Sequence, residues 1–110
     1  MMIKKVIIRG KQIEIPLVIC RNKALGLMFS SKEDASNLLF EFNKPRRWAI
    51  HSFFVFYPFI AIWIHEKKVI AWKKVNPFTF SVKPKIPFTQ LIEIPINEAN
   101  KKLVKSIVGK

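Results

Sequence analysis

The sequence predicts a small β-rich α+β single domain: a barrel-like or sandwich sheet of about six to eight strands with two or three short helices. Three observations carry that expectation. Half of the 110 residues are apolar, and they fall in short runs bounded by Pro, Gly or Asn, as strands do. The longest uncharged run, Trp48 to Ile64, is made of Phe, Ile, Val and Trp, which suit a pleated surface better than a helix. Clear helical spacing appears only after Asn97.

Taken in order, Ile3 to Arg9 leads through Gly10-Lys11 into Gln12-Ile13-Glu14-Ile15, which alternates with period two and predicts a hairpin. Pro16 ends or shifts that strand, and Leu17 to Cys20 continues as an extended apolar segment. Arg21 to Leu25 suits a helical turn stopped by Gly26. Ser30 followed three residues later by Glu33 reads as a capping box, predicting a short helix over 31–36. Leu38 to Phe42 is the next strand, and Asn43 to Arg46 is the loop into the uncharged run.

That run spans 17 residues between Lys44, Arg46 and Arg47 on one side and Lys67 and Lys68 on the other. A membrane-spanning helix is the competing interpretation, since about 17 residues is the short limit. Pro58 at its centre would remove a helical hydrogen bond, and His51 and Ser52 place polar groups inside its end. Basic flanks on both sides fix no orientation. Two strands account for the same residues: 50–56, a bend at Tyr57-Pro58, and 59–64. Neither alternates, so both faces of each should be covered. His65 to Lys67 then turns into Val69 to Trp72, and Phe78, Phe80 and Val82 alternate with polar residues. Pro84 and Pro87 keep 83–88 extended outside a central ladder. Leu91 to Ile94 is the last strand, closed by Pro95. In the final helix Asn97 caps, and Ala99, Leu103 and Ile107 face inward while Lys101, Lys102 and Lys105 take the wet side.

The charge balance is lopsided, with 20 Lys plus Arg against 7 Asp plus Glu, a net +13. A Lys- and Ile-rich, Gly-poor composition also occurs in thermophile proteins, but there Glu rises with Lys, and here it does not. The excess therefore points to a polyanion or to a generally soluble basic surface. Cys20 is the single cysteine, which excludes an internal disulfide and a cysteine-based zinc site, and a buried inert thiol is its expected role. The start Met-Met-Ile-Lys-Lys-Val-Ile-Ile-Arg-Gly has too short an apolar core for a signal peptide, so a cytoplasmic protein is expected.

Four landmarks recur in a recognisable order: Gly26-Leu27-Met28, Leu38-Leu39-Phe40-Glu41-Phe42, Trp48 through Ile64, and Leu91-Ile92-Glu93-Ile94-Pro95. Their order and spacing over about residues 17–110 resembles the domain of unknown function 192 family, in an archaeal-like form with Ile50-His51-Ser52-Phe53-Phe54-Val55-Phe56-Tyr57-Pro58. The resemblance implies a compact β-rich fold with short helices and supplies no activity. Where the family carries acids or glycine, this chain has Phe59-Ile60 after the proline, His65 after the next strand and Asn97. Its close is Gly109-Lys110 in place of Gly-Asp. Any family site built on those acids is altered here.

Catalytic patterns are sparse. Asp34 is the one Asp and lies beside Glu33 as a helix-start charge. His51 and Ser52 are neighbours that would point to opposite faces of a strand, and a turn at Tyr57-Pro58 would set His51 opposite Ile64. The two histidines, His51 and His65, have no metal-site spacing, and Gly10, Gly26 and Gly109 form no phosphate loop. The enzyme question stays open and leans negative. The expectation is a non-enzymatic binding module for a small or anionic ligand, without cofactor or metal, at Arg46, Arg47, Trp48 and His51. The alternative is non-sequence-specific nucleic-acid binding through Lys67, Lys68, Lys73, Lys74, Lys83 and Lys85, which can equally be a solvated edge. No membrane span is expected, and oligomeric state, pathway and ligand identity stay open.

Overall fold

The computed structural model describes residues 2–20, 26–28, 30–47, 49–52, 54–79 and 81–109. The expected helical turn at 21–25, and the side chains of Trp48 and Phe80, lie outside those residues. β1 (Met2–Ile8) and β2 (Lys11–Ile19) make the N-terminal hairpin. Arg9 and Gly10 turn it with φ of 54° and 74°, the pair of left-handed residues that matches strand twist in a two-residue turn. Pro16 does not end β2. Its carbonyl accepts a hydrogen bond from Asn37 Nδ2 at 2.8 Å, so its hydrogen-bonding side faces away from β1 and the missing N–H takes no bond from the hairpin.

The remaining strands are β3 (Leu38–Arg46), β4 (Phe59–His65), β5 (Lys68–Val75) and β6 (Phe88–Pro95). They form one six-stranded mixed sheet in the order β1-β2-β3-β6-β4-β5. Only β2 and β3 run parallel, over Val18 and Ile19 against Leu38 and Leu39. β1 returns to lie against β5, so the sheet curls into a nearly closed barrel. Across that seam the Arg9 guanidinium stands 6.0 Å from the centre of the Trp72 ring.

The barrel interior is aliphatic. Alternation on β1 and β2 turns Val6, Ile8, Ile13, Ile15 and Leu17 inward, where they meet Ile60, Ile62 and Ile64 of β4 and Ile92 and Ile94 of β6. A second core covers the outer face of β3, β6 and β4. There Phe40, Phe59, Trp63, Phe88 and Leu91 pack under Leu27, Val55, Tyr57 and Val82 from the loops. β4 is thus covered on both faces, and all six residues from Phe59 to Ile64 are buried. This is why its sequence does not alternate.

Three expectations are corrected. The helix over 31–36 is a turn at 32–34, in which Ser31 Oγ accepts from the Asp34 N–H at 3.3 Å. The segment carries no apolar stripe to dock, and so short a helix does not stand alone. One helix therefore occurs among the described residues.

The strand over 50–56 is the second correction, since among its described residues only Ile50 pairs, in an isolated bridge to Val82. The Ser52 hydroxyl is completely buried, donates to the Asn76 carbonyl at 2.6 Å and accepts from the Thr79 N–H at 2.6 Å. Those bonds pull the chain out of extended geometry, and Phe54 follows with a φ of 59°. Tyr57-Pro58 accordingly closes no hairpin, and His51 does not face Ile64, because β4 is flanked by β5 and β6. In the third, the described residues of the alternating piece 78–82 are likewise loop apart from Val82.

The helix α1 (Lys101–Val108) begins later than Asn97. Asn97 Oδ1 accepts from the Asn100 N–H at 3.0 Å, one turn ahead of the helix proper. Asn100 Nδ2 donates to Asn37 Oδ1 and to the Pro95 carbonyl, both at 2.8 Å. Through Asn37 and Pro16 this buried amide network ties the start of α1 to β6 and β2. Ile107 plugs the barrel end, while Ala99 is exposed. No helix among the described residues is long and apolar enough to cross a membrane.

Candidate functional site

β5 is the last strand of the sheet order, and its outer side carries a cleft of about 640 Å³. One wall is Trp63, Ile70, Ala71 and Lys73, and the other is the segment 81–86. A bulge makes the floor. Trp63 pairs with Ala71 and Ile64 with Val69, so Ile70 is the extra residue. In a bulge, two successive side chains share one face, and Ile70 and Ala71 both pack toward the outer core. The second wall stands away from β5 because Pro84 and Pro87 keep it out of the ladder. The Ile50–Val82 bridge and the Ser52–Thr79 bonds anchor its start.

Lys73, Lys83 and Lys85 line this apolar cleft, and no carboxylate does. All three are exposed. Among the described residues the one ion pair is His65 Nε2 to Glu66 Oε1 at 3.7 Å, so no described lysine or arginine is neutralised by a carboxylate. The arrangement offers an apolar floor with cations at its mouth. It suits a ligand with a flat or apolar body and negative charges at its edge.

The expected residues divide between this place and others. Lys73, Lys83 and Lys85 come together. Lys74 follows Lys73 and so points to the opposite face of β5, where it lines a separate hollow with Ile96 and α1. Lys67 and Lys68 sit at the far end of the hairpin, about 17 Å from Lys73 along the strand, and do not join. Arg46 is exposed with its guanidinium 5.5 Å from the centre of the Phe42 ring, and Arg47 follows it, also exposed. His51 is exposed on the segment that anchors the cleft wall. Ser52 is committed to that anchoring, which removes it as a nucleophile.

Sequence reasoning missed Glu93. It is on β6 between Ile92 and Ile94, is buried, and its carboxyl is pushed up to about 8 by loss of solvent. The Tyr57 hydroxyl is near enough to feel it. Burial raises the Tyr57 pKa first, its hydrogen bond with Ser30 lowers it, and Glu93 raises it again. Ser30 Oγ lies 2.5 Å from the Tyr57 hydroxyl and donates to the Leu27 carbonyl at 2.5 Å. The signal was a lone acid in the otherwise apolar stretch 91–95. Cys20 is half-buried beside the same outer core. Among the described residues no three His, Cys, Asp or Glu side chains converge as a metal site requires.

No family model matches the sequence, and no curated protein does. Two solved structures are similar in fold. One is a protein of unknown function from Novosphingobium aromaticivorans DSM 12444, 18% identical, with a TM-score of 0.67 over 91% of this chain and 76% of that one. The other is a putative transcription regulator from Sinorhizobium meliloti 1021, 15% identical, with a TM-score of 0.67 over 91% of this chain and 83% of that one. The likeness is one of fold. At such identities it carries no ligand, partner or residue role across.

Proposed function

We propose that this protein is a non-enzymatic binding module for an anionic ligand with an apolar or aromatic body, taken up in the β5 cleft. The observation that carries this reading is the apolar floor of Ile70 and Ala71, facing Ile86 of the opposite wall and rimmed by Lys73, Lys83 and Lys85 without a carboxylate. The site shifts from the entry of the uncharged run, where Arg46, Arg47 and His51 lie, to the wall that this run supports. Membership of the domain of unknown function 192 family belongs to the same proposal. Its support is that two of the four landmarks meet, with Gly26 packed against Glu93.

The probe is 8-anilinonaphthalene-1-sulfonate, an aromatic anion whose fluorescence rises in an apolar site. Saturable binding to the native protein is expected, weakened about tenfold or more by the combined change Lys73→Ala, Lys83→Ala and Lys85→Ala. Unchanged affinity in that variant, with its melting curve intact, would overturn the assignment.

Nucleic acid is the second reading, favoured by the lack of a carboxylate partner for any described lysine or arginine. It requires log affinity for an oligonucleotide to fall linearly with log salt. No binding at low salt would exclude it.

A further inference from the structure

Two more hollows share one property with the β5 cleft. The first lies between β5 and α1, about 350 Å³ in volume, with Lys74, Lys101 and Lys105 around Ile60 and Ile96. The second lies at the mouth of the barrel, about 530 Å³, between the β1–β2 turn and α1, with Arg9, Lys11, Lys102 and Lys105. Lys105 lines both of these, and Lys74 is the chain neighbour of Lys73 in the cleft. The last two hollows therefore share a cation, and the cleft is joined to the nearer of them through adjacent residues of β5. No Asp or Glu lines any of the three.

We infer that these hollows form one cationic track, running from the β5 cleft around the C-terminal end of β5 and along α1 to Arg9 and Lys11, which holds a single strand of nucleic acid. The inference rests on the nucleic-acid reading above and extends it to residues of α1 and the first turn.

Three features select that occupant. A small anion would need one hollow, whereas nine cations spread over three hollows of a body whose longest extent is 31 Å match a polymer with charges at regular intervals. The track crosses from the outer face of β5, at Lys73, to the opposite face, at Lys74. A flexible strand can follow that bend, while a lipid surface reaches one side only. The apolar floor of the cleft offers a place for an unstacked base, which a duplex keeps inside its own stack. Arg9 also has a structural task. Its guanidinium donates to the Val108 and Ser106 carbonyls at 2.9 and 3.2 Å, which leaves Lys11, Lys102 and Lys105 as the cations free to vary.

The test uses the full chain and fluorescein-labelled oligothymidylates of about 4 and about 12 nucleotides, both within the range of single-strand site sizes. One variant combines Lys11→Ala, Lys102→Ala and Lys105→Ala; the other is the cleft variant above. Binding of the longer strand should lose about 2 from its log–log salt slope in the first variant, three contacts at roughly 0.7 each. Binding of the shorter strand should change in the cleft variant alone. If the first variant binds the longer strand with wild-type affinity and slope, the track is overturned while the cleft assignment stands. If neither variant changes either strand, both are overturned. Equal affinity for a duplex of the same length, or binding only to phosphatidylserine vesicles, also overturns the single-strand assignment. Melting curves of both variants establish that the fold is intact.

Discussion

A Cβ placed on Gly26 would come within 3.3 Å of Glu93 Oε1 and 3.5 Å of Phe40 Cζ, so the bare glycine backbone packs against the buried carboxyl of β6. Gly26 also has a φ of +53°, a region that other residues enter at a cost. Gly26→Ala should therefore lose roughly 1–3 kcal/mol, from backbone strain together with the crowding. Urea unfolding checks it, and a midpoint equal to wild type would show that this loop relaxes freely.

Glu93 makes stability depend on pH with an unusual sign. Burial raises its pKa from 4.5 to about 8, so the folded protein keeps a proton that the unfolded chain has already lost. The native state binds more protons between these values, and stability falls as pH rises through that window, levelling off above it. The loss is on the order of a few kcal/mol between pH 5 and 9. Glu93→Gln carries no charge to lose, and its unfolding midpoint should be flatter over the same range. An unaltered slope in the variant would locate the pH dependence elsewhere.

The β4–β5 turn is a place to gain stability. Glu66 and Lys67 both adopt positive φ, 50° and 67°, which Asn and Gly tolerate better. Replacing them by Glu66→Asn and Lys67→Gly should raise stability on the order of 1 kcal/mol. The exchange also removes the His65–Glu66 ion pair, which is open to solvent on the Glu66 side and contributes little. A lower melting temperature would count against the turn geometry.

The strands that were legible in the sequence are those whose pattern is set by covering. Alternation revealed β2, and the unbroken apolar stretch 59–64 revealed that β4 is covered twice. The same reasoning failed for 50–56, because an apolar run also results when a loop packs over a sheet. There Val55 and Tyr57 are buried while Phe54 and Phe56 are exposed. Ser52 decides the outcome through bonds to Asn76 and Thr79, partners more than 20 residues away that no local pattern encodes. The site was legible in part for a related reason. Lys73 sits near Lys83 and Lys85 because 81–86 folds back along β5, whereas Arg9 and Lys11 meet α1 only through barrel closure.

The strand order also governs how the chain must emerge from the ribosome. β6 lies between β3 and β4 although it follows β5 in the chain. Until residues 88–95 are synthesised, β4 has β5 as its one neighbour in the order β3-β6-β4-β5, and its other edge leaves the backbone groups of residues 59–64 without the partners that β6 supplies. Such an open apolar edge is a template for neighbouring nascent chains on the same message. The late strand is thus the clasp of the molecule, and slow translation across the 76–87 connection would lengthen the interval in which chaperones are needed.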